Sequence, residues 1–523
     1  MGTNLQIATR TVTSVNAATR EVLHEFASAS EKEVRTAVDK ARIAQSMWRK
    51  FGIQKRLVIL RKFQQLVQER KSEIAKLITQ EAGKPCVEAL LTEVLVVLDA
   101  SSFLIENAYS LLRDEPVTHG NLALKTKSGR LVREPYGVVG IISPWNYPFS
   151  IPATESLAAL VAGNAVVLKP SEFTSLTALQ LRSLLHQAGV PNDAFQVVVG
   201  DGITGKALTE SAIDKLIFTG SVPTGKRAAQ EAAARLLPVT LELGGKDPML
   251  VLEDANVDVA SSGAVWGAFV NAGQACLSVE RCYVHRSLYD AFLQACVRKT
   301  QQLRVGNGMD TEIDIGPLIH ENQLRVVESH VEDARHLGAR VLTGGARLPE
   351  LGPNFYAPTV IADVTQEMRI MREETFGPVL PVMPFDEENE AVRLANDSEF
   401  GLAASVWTRD RARGEALARR IQAGTVMVND AVSCFGISEA PHGGMKSSGI
   451  GRTHGRLGLE EMVRVKYVDS DRMLGVKKIW WYGYGEVFTR QMEGFLDMQF
   501  ARGLINRARG AVQSMGALIG KKT

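Results

Sequence analysis

Short apolar runs alternate with longer amphipathic stretches from Gly137 onward, and this rhythm constrains the fold more than any other feature of the sequence. The runs have the length of buried strands, and most intervals leave room for a crossover helix. The pattern predicts βαβ units and a parallel sheet, and therefore an α/β fold. The predicted strands are 138–142, 165–168, 195–199 and 215–218, followed by 249–252, 340–342 and 425–428.

The chain before this region has a different period. Apolar residues recur at helical spacing over residues 30–113, as in 57–67, which predicts a series of helices. Residues 121–134 alternate apolar and polar positions around Ser128 and Gly129. That pattern is typical of a β-hairpin with its turn at this pair.

Composition sets the broad class. The 523 residues are 45% hydrophobic, with 60 Lys and Arg against 58 Asp and Glu, which argues against a disordered chain and gives no net charge that would favour nucleic acid. Five cysteines without C-x-x-C spacing predict reduced thiols and no metal site. Residues 1–20 lack a secretory pattern, and no apolar run reaches the ~18 residues of a spanning helix. We therefore expect a cytoplasmic protein, attached at most to a membrane surface.

Small residues over 218–225 follow a predicted strand and open a predicted helix at 226–237. Gly220, Ser221 and Gly225 would let backbone N–H groups and the helix N-terminus approach a phosphate. The spacing is not G-x-G-x-x-G, so an ordinary strand–helix turn is the alternative.

Lys169 and Glu172 follow the end of another predicted strand. Ligands of doubly wound sheets bind outside the carboxyl ends of the strands, where an acid can accept hydrogen bonds from ribose hydroxyls. The alternative is a solvated pair of loop residues.

Three residues have side chains suited to catalysis. Cys276 lies among small residues that would let a substrate reach its sulfur, although a small buried hydrophobe is the alternative. Glu242 lies between Leu241 and Leu243, where burial would raise its pKa towards that of a general base. Asn146, in a turn bracketed by prolines, could donate a hydrogen bond to an oxyanion.

In their order along the chain these segments resemble the aldehyde dehydrogenase superfamily, from about residue 30 to about residue 467. The matching stretches are Pro144-Trp145-Asn146, Leu168-Lys169-Pro170-Ser171-Glu172, Phe218-Thr219-Gly220-Ser221, Glu242-Leu243-Gly244-Gly245-Lys246, Gly273-Gln274-Ala275-Cys276, Glu373-Glu374-Thr375-Phe376-Gly377-Pro378 and His442-Gly443-Gly444-Met445-Lys446-Ser447-Ser448-Gly449.

The resemblance implies oxidation of an aldehyde to a carboxylic acid through a thiohemiacetal and a thioester on Cys276. Asn146 and the Cys276 backbone N–H would hold the oxyanion, and Glu242 would activate water. Two alternatives stay open: a relative that transfers the acyl group to coenzyme A, which commonly lacks an acid at position 242, and a catalytically idle scaffold protein, which would have lost one of the three residues.

The resemblance also implies a nicotinamide dinucleotide cofactor. NAD is expected rather than NADP, because the Glu172 carboxylate would repel a 2′-phosphate. The implied contacts are Lys169 and Glu172 at the adenosine ribose, Trp145 and Ser221 near the pyrophosphate, and Glu374 and Phe376 at the nicotinamide end, with Gly220, Gly225 and Leu243 in the same segments.

By this resemblance the fold is α/β, with a Rossmann-type parallel-sheet cofactor domain, an α/β catalytic domain and a β-hairpin arm that joins subunits into a dimer or tetramer. The expected divisions are 1–120 with 136–244 for NAD, 121–135 with 446–470 for the arm, 245–445 for catalysis and 477–523 for a tail.

The substrate is expected to be an apolar or aromatic aldehyde. Residues 431–436, which align with the loop that shapes the aldehyde pocket in relatives, carry no Arg or Lys that could bind a carboxylate. Residues 266–273 and 278–281 resemble the branch that includes diapolycopene-dialdehyde oxidisers.

The tail at 477–523 carries eight cationic residues, three acidic ones and seven aromatic ones. Phe488, Met492 and Phe495 would share one helical face, while several glycines weaken a long helix. Such a segment suits a membrane surface with anionic lipid. The alternative is packing on its own domain or on a partner subunit.

Overall fold

The computed structural model describes residues 10–121, 124–473, 475, 477, 478 and 480–519. The sequence features at Leu122, Lys521 and Lys522 lie outside these residues. The described chain forms two compact units. The larger unit runs up to Glu115 and continues over Leu131–Lys466, and the smaller unit comprises Pro116–Arg130 and the chain from Tyr467 onward.

The strands are numbered in chain order. They are β1 Thr11–Val15, β2 Val22–Ala27, β3 Glu115–Val117, β4 Lys127–Pro135, β5 Val138–Ile142, β6 Ala165–Lys169, β7 Phe195–Val197, β8 Lys215–Thr219, β9 Val239–Glu242, β10 Asp247–Val251, β11 Val279–His285, β12 Arg340–Thr343, β13 Thr359–Ala362, β14 Val379–Phe385, β15 Ala403–Trp407, β16 Thr425–Val428, β17 Gly449–Ile450 and β18 Val463–Asp471.

The helices are numbered in the same way. They are α1 Glu31–Lys50, α2 Gly52–Glu69, α3 Lys71–Ala82, α4 Cys86–Ala89, α5 Leu95–Leu112, α6 Ser150–Ala162, α7 Ser175–Ala188, α8 Gly202–Glu210, α9 Val222–Ala233, α10 Val257–Phe269, α11 Tyr289–Gln301, α12 Glu321–His336, α13 Arg369–Arg372, α14 Glu388–Asn396, α15 Arg411–Ala418, α16 Gly455–Glu460, α17 Glu486–Phe500 and α18 Leu504–Ile519.

A six-stranded sheet has the order β17-β9-β8-β5-β6-β7 and is parallel except at β17. Alternate residues of its strands belong to two separate apolar cores, because a strand points successive side chains to opposite faces. In β5, Val138 joins one core and Val139 the other. The chain leaves β5 on one side towards β6 and later returns on the other side as β8, so a topological switch point lies between β5 and β8.

A seven-stranded sheet has the order β12-β13-β14-β11-β10-β15-β16 and is parallel except between β12 and β13. Together the two sheets confirm the α/β fold and each predicted strand, with shifts of one or two residues at some ends. The helical prediction over 30–113 is also confirmed, by α1 to α5.

Two local predictions are wrong. The helix expected at 226–237 begins at Val222, since Ser221 is extended and proline is tolerated in a first helical turn. The turn expected at Ser128 and Gly129 lies inside β4. A Cβ on Gly129 would lie 2.5 Å from the Tyr467 hydroxyl oxygen, so this glycine permits close packing and does not form a turn.

Strands β18, β4 and β3 form a three-stranded sheet in that order. The oligomerisation arm assigned to 121–135 and 446–470 stays a prediction, as does the domain boundary at residue 244.

In the smaller unit, α17 and α18 pack on each other. A Cβ on Gly510 would lie 2.5 Å from the Gly494 carbonyl oxygen, so two of the glycines bring these helices together. A third, Gly503, interrupts the helical segment with a φ of 86°. None of the described helices is both long enough and apolar enough to cross a membrane.

Candidate active site

Residues from distant parts of the larger unit meet around a cavity of about 350 Å³. The six-stranded sheet contributes the chain that follows β5 and β8 and the end of β9, at its switch point. The seven-stranded sheet contributes the chain that leads into β11 and β14. The predicted residues that line this cavity are Trp145, Asn146, Gly220, Ser221, Glu242, Leu243, Cys276, Glu374 and Phe376.

Cys276 follows a strained turn that ends helix α10. Asn271 and Ala272 both have a φ of 54°, and Gly273 has a φ of 73°. A Cβ on Gly273 would lie 2.1 Å from the Gly377 carbonyl oxygen, so only glycine fits there. Three successive left-handed residues cost conformational energy, which the buried surroundings offset. The turn presents the Cys276 thiol, half-buried, to the cavity.

The surroundings of the thiol are acidic. Burial raises the pKa of Cys276 well above its usual range, and the carboxyl groups of Asp247, Glu374 and Glu242 add to this effect. The thiol is therefore uncharged at neutral pH and needs a base to become a nucleophile.

Glu242 is a candidate for that base, since it lines the same cavity at the end of β9. Burial raises its pKa well above the usual value, Glu155 raises it further, and Arg452 opposes the shift. Neither carboxyl oxygen of Glu242 has a hydrogen-bond partner among the described residues. Nε2 of His442 lies 3.6 Å from Oε2 of Glu242.

Asn146 is held from three sides. Its Nδ2 donates to the carbonyl oxygen of Gln274 at 3.1 Å, which leaves one N–H of the amide for another acceptor. The backbone carbonyl oxygen of Asn146 accepts hydrogen bonds from Lys84 Nζ at 2.7 Å and from Asn271 Nδ2 at 3.0 Å.

A buried ion pair fixes the turn after Asn146. Lys84 Nζ lies 2.8 Å from Glu93 Oε1, and both side chains are fully buried. The other oxygen of Glu93 accepts the backbone N–H groups of Phe149 and Ser150, each at 2.9 Å.

A second buried pair, Lys246 with Glu280, holds the loop that carries Glu374. The Glu280 carboxylate accepts the backbone N–H groups of Thr375 at 2.9 Å and Phe376 at 2.8 Å. Glu374 accepts the backbone N–H of Gly245 at 3.1 Å, and burial raises its pKa to about 8. The Phe376 ring meets Trp145 edge-on at 5.4 Å.

A cleft of about 510 Å³ adjoins the cavity and shares Trp145, Gly220 and Ser221 with it. Lys169 and Glu172 line the cleft at the end of β6, with 3.5 Å between Nζ and Oε2. Ser221 precedes the first residue of α9, so the N-terminus of that helix opens beside the cleft. An extended ligand with an anionic centre and a ribose at one end fits this arrangement.

Gly225 is not among the residues that line the cleft. It lies inside α9, where a Cβ would come within 2.4 Å of the Leu243 side chain. The missing side chain permits this close packing, and the assignment of Gly225 to the cofactor contacts stays a prediction.

A third cavity, of about 290 Å³, opens on the other side of Cys276. In the part of the chain that the structure describes, no charged side chain lines it. Its walls are mainly apolar and aromatic and include Leu91, Leu95, Val96, Tyr147, Ile151, Trp266, Leu277, Val432 and Phe435.

Glu155, His442 and His454 also line this cavity, and the sequence analysis assigned them no role. Glu155 had a detectable signal, because it is the one acid in the otherwise apolar and small-residue sequence of α6. The two histidines had none that distinguishes them from other histidines. Across the described residues, no group of three His, Cys, Asp or Glu side chains could hold a metal ion.

The comparison with protein families matches residues 6–468 to the aldehyde dehydrogenase family. The chain belongs to this family. It is 40% identical over 447 residues to a putative succinate-semialdehyde dehydrogenase [NADP(+)] of Mycolicibacterium smegmatis, which covers 85% of this chain and 86% of the relative.

A 4,4'-diapolycopene aldehyde oxidase of Methylomonas sp is 37% identical over 508 residues, which covers 97% of this chain and 95% of the relative. Among solved structures, the NAD+ complex of an aldehyde dehydrogenase from Bacillus cereus matches with a TM-score of 0.85 and 36% identity, over 88% of this chain and 93% of that one. The aldehyde dehydrogenase family is thus established from both sequence and fold.

Proposed function

We propose that this aldehyde dehydrogenase uses NAD to oxidise an apolar aldehyde to a carboxylic acid through a thioester on Cys276. One observation carries the proposal: Cys276 lines both the cavity that holds Glu242 and Asn146 and the apolar pocket, and that cavity adjoins a cleft suited to a dinucleotide.

The first half of the reaction forms a covalent adduct. Glu242 accepts the thiol proton, and the sulfur of Cys276 bonds to the aldehyde carbon. The free N–H of the Asn146 amide donates to the oxygen on which negative charge develops. A nicotinamide cofactor held in the cleft by Lys169, Glu172 and Ser221 would supply a positive charge that favours a thiolate and would be the acceptor for the hydride that the adduct loses. The adduct becomes a thioester on Cys276.

The second half is hydrolysis. Once Glu242 has released the thiol proton to solvent, it accepts a proton from water as the water oxygen bonds to the thioester carbonyl carbon. The bond between that carbon and sulfur then breaks, and the sulfur takes up a proton from the carboxylic acid, so that a thiol and a carboxylate result. A buried, unpartnered carboxyl group suits this task because its raised pKa makes it a stronger base. The presence of Glu242 favours hydrolysis over transfer to coenzyme A, and the joint presence of Cys276, Glu242 and Asn146 disfavours an idle scaffold.

The pocket beyond Cys276 supports an apolar substrate. A carboxylate brought into that pocket would lose its hydration without gaining a cationic partner. This argues against succinate semialdehyde, the substrate in the name of the Mycolicibacterium relative, and favours a long apolar aldehyde such as the one in the name of the Methylomonas relative.

Glu172 supports NAD as the cofactor. Its carboxylate lines the cleft beside Lys169, at the end of β6, so a 2′-phosphate on the adenosine ribose would bring two negative charges together. The names of the relatives do not decide between the two cofactors, since one specifies NADP(+) and one solved structure holds NAD+.

An exposed apolar stripe on α18 in the tail supports binding of the protein to a membrane surface. In α18, Leu504, Ile505, Val512 and Met515 share one exposed stripe, with exposed fractions between 54% and 85%. At 100° per residue, Arg507 and Arg509 flank this stripe on opposite sides. An apolar stripe between cations suits anionic lipid, into which the apolar side chains insert while the arginines stay at the headgroups. We propose that this stripe binds such a surface.

Coverage by the relatives supports a link between the tail and the substrate. An alignment over 97% of the chain leaves about 16 residues outside, so most of the 47-residue tail aligns with the Methylomonas relative. The family match ends at residue 468. A lipid-soluble aldehyde would be encountered at a membrane.

Replacing Glu242 with Gln separates the two halves of the reaction. We expect Glu242→Gln, assayed with the thiol already ionised at high pH, to release about one equivalent of NADH in a burst and then to turn over ~10²–10⁴-fold more slowly, the usual contribution of a general base. Stopped-flow absorbance measures both phases.

Cys276→Ser is the control and should show neither phase. A Glu242→Gln enzyme that turns over at the wild-type rate would contradict the role of this residue in hydrolysis.

A panel of aldehydes tests the pocket and the cleft together. We expect kcat/KM to rise with chain length from butanal to decanal and to be at least ~10-fold lower for succinate semialdehyde, since several buried methylenes are worth ~0.8 kcal/mol each.

With each aldehyde, NAD should give a higher kcat/KM than NADP, and Glu172→Gln should reduce the difference in kcat/KM between the two cofactors.

Leu236→Gln, which alters an exposed residue outside both cavities, is the matched control. A preference for succinate semialdehyde would contradict the substrate proposal, and equal or better use of NADP by the wild type would contradict the cofactor proposal.

Vesicle sedimentation tests the tail. We expect the full chain to bind vesicles with 30% phosphatidylglycerol, to release them in high salt, and to lose at least ~10-fold in affinity when Leu504, Ile505 and Val512 are all changed to Gln, because the apolar area and the charge act together. Leu236→Gln should bind normally.

Equal binding by the triple variant would overturn the proposal. So would an absence of vesicle binding together with a change in oligomeric state in the triple variant, which would assign the stripe to a partner subunit.

A further inference from the structure

Buried ionisable groups without partners cluster on one side of the catalytic cavity. Glu155, Glu242, His442 and His454 all line it. Five of their side-chain atoms have no hydrogen-bond partner among the described residues: both carboxyl oxygens of Glu242, Oε2 of Glu155, Nδ1 of His442 and Nε2 of His454. Buried polar atoms are nearly always bonded, so such a concentration needs an explanation beyond packing.

The two histidines lie one after the other in space, starting from Glu242. Nε2 of His442 lies 3.6 Å from Glu242 Oε2, and the centroids of the two imidazole rings are 6.1 Å apart. Paired backbone hydrogen bonds of 2.8 Å between His442 and Thr453 fix the two chain segments to each other. The His454 Nδ1 lies 3.2 Å from the Thr453 hydroxyl oxygen.

The position of His454 is conformationally costly. Its φ of 58° is left-handed, a conformation that histidine adopts less readily than glycine. Phe435 packs edge-on against both imidazoles, with centroids 5.2 Å from His442 and 4.5 Å from His454. The rings are thus held in place beside the cavity.

Both imidazoles are neutral at physiological pH. Burial lowers the pKa of His442 to about 3, with His454 and Arg452 contributing, and burial lowers the pKa of His454 to about 4. A neutral imidazole has one nitrogen that donates and one that accepts, so it can take a proton on one side and release one on the other.

Glu155 is also uncharged at neutral pH. Burial raises the pKa of Glu155 to about 8, although the Thr219 hydroxyl donates to its Oε1 at 2.9 Å. The carboxyls of Glu155 and Glu461 raise the pKa of Glu242, and the Arg452 guanidinium lowers it. The Cys276 thiol is itself uncharged. The cluster can therefore pass a proton without a stable ion pair that would trap it.

Hydrolysis of the thioester produces a proton that must leave this buried space. Water and the thioester give a carboxylic acid and the thiol, and the acid loses a proton when it leaves as a carboxylate. We propose that His442 and His454 carry this proton away from Glu242: it moves from Glu242 to Nε2 of His442, while Nδ1 of His442 releases its own proton, through cavity water, to Nε2 of His454. Nδ1 of His454 in turn releases a proton to solvent water, so that both imidazoles end neutral. The inference rests on the proposed role of Glu242 in hydrolysis.

His442→Gln and His454→Gln test the relay, since glutamine can hydrogen-bond but cannot carry a proton at neutral pH. We expect each variant to keep the NADH burst within about twofold of the wild type and to lose at least ~10-fold in kcat, a fraction of the ~10²–10⁴ that general acid–base catalysis contributes. The solvent deuterium effect on kcat should also increase. His186→Gln, a partly buried histidine outside the cavity, is the matched control.

Chemical rescue distinguishes a relay from packing. Free imidazole should restore part of kcat to His442→Ala and leave His186→Ala unchanged. An unchanged kcat in His442→Gln and His454→Gln would overturn the inference, and so would a burst that falls in proportion to kcat. A wild-type enzyme without any burst that depends on Cys276 would instead refute the proposed function.

Discussion

Two buried lysine–glutamate pairs hold the loops on which the candidate site depends. Lys84 with Glu93 fixes the turn that carries Asn146, and Lys246 with Glu280 fixes the loop that carries Glu374 and Phe376. Such pairs are costly to desolvate, and removing one partner of a buried pair typically costs about 3–5 kcal/mol because the other charge is left uncompensated. Here each glutamate also accepts backbone N–H groups, so each pair positions main chain as well as balancing charge.

The charge around the sulfur determines how the site can work. The groups that shift the pKa of Cys276 are carboxyls and a second thiol, so the protein alone does not stabilise a thiolate. In the proposed mechanism, activation would depend on Glu242 and on the positive ring of a bound cofactor. A thiol that stays protonated until the cofactor is present is protected from unproductive reactions.

The strands could be predicted because they depend on local sequence, whereas the candidate site residues were predicted from motifs and their order along the chain. Val138 and Val139 both lie in a short apolar run, and such a run, buried on both faces, is typical of a strand in a parallel sheet. Gly129 was misread, since a glycine for a turn and a glycine for close packing look alike until the Tyr467 side chain is placed. His442 and His454 acquire their significance only from tertiary contacts with Glu242 and Phe435, which no local pattern encodes.

The central claim is that the substrate becomes acylated on one sulfur. Its most direct test is the mass of the Glu242→Gln enzyme, quenched in acid within one turnover of decanal and NAD and then mapped by peptide. We predict an added decanoyl group on the peptide that contains Cys276, removable by hydroxylamine. An acyl group on another residue, or an unmodified chain after the burst of NADH, would contradict the account.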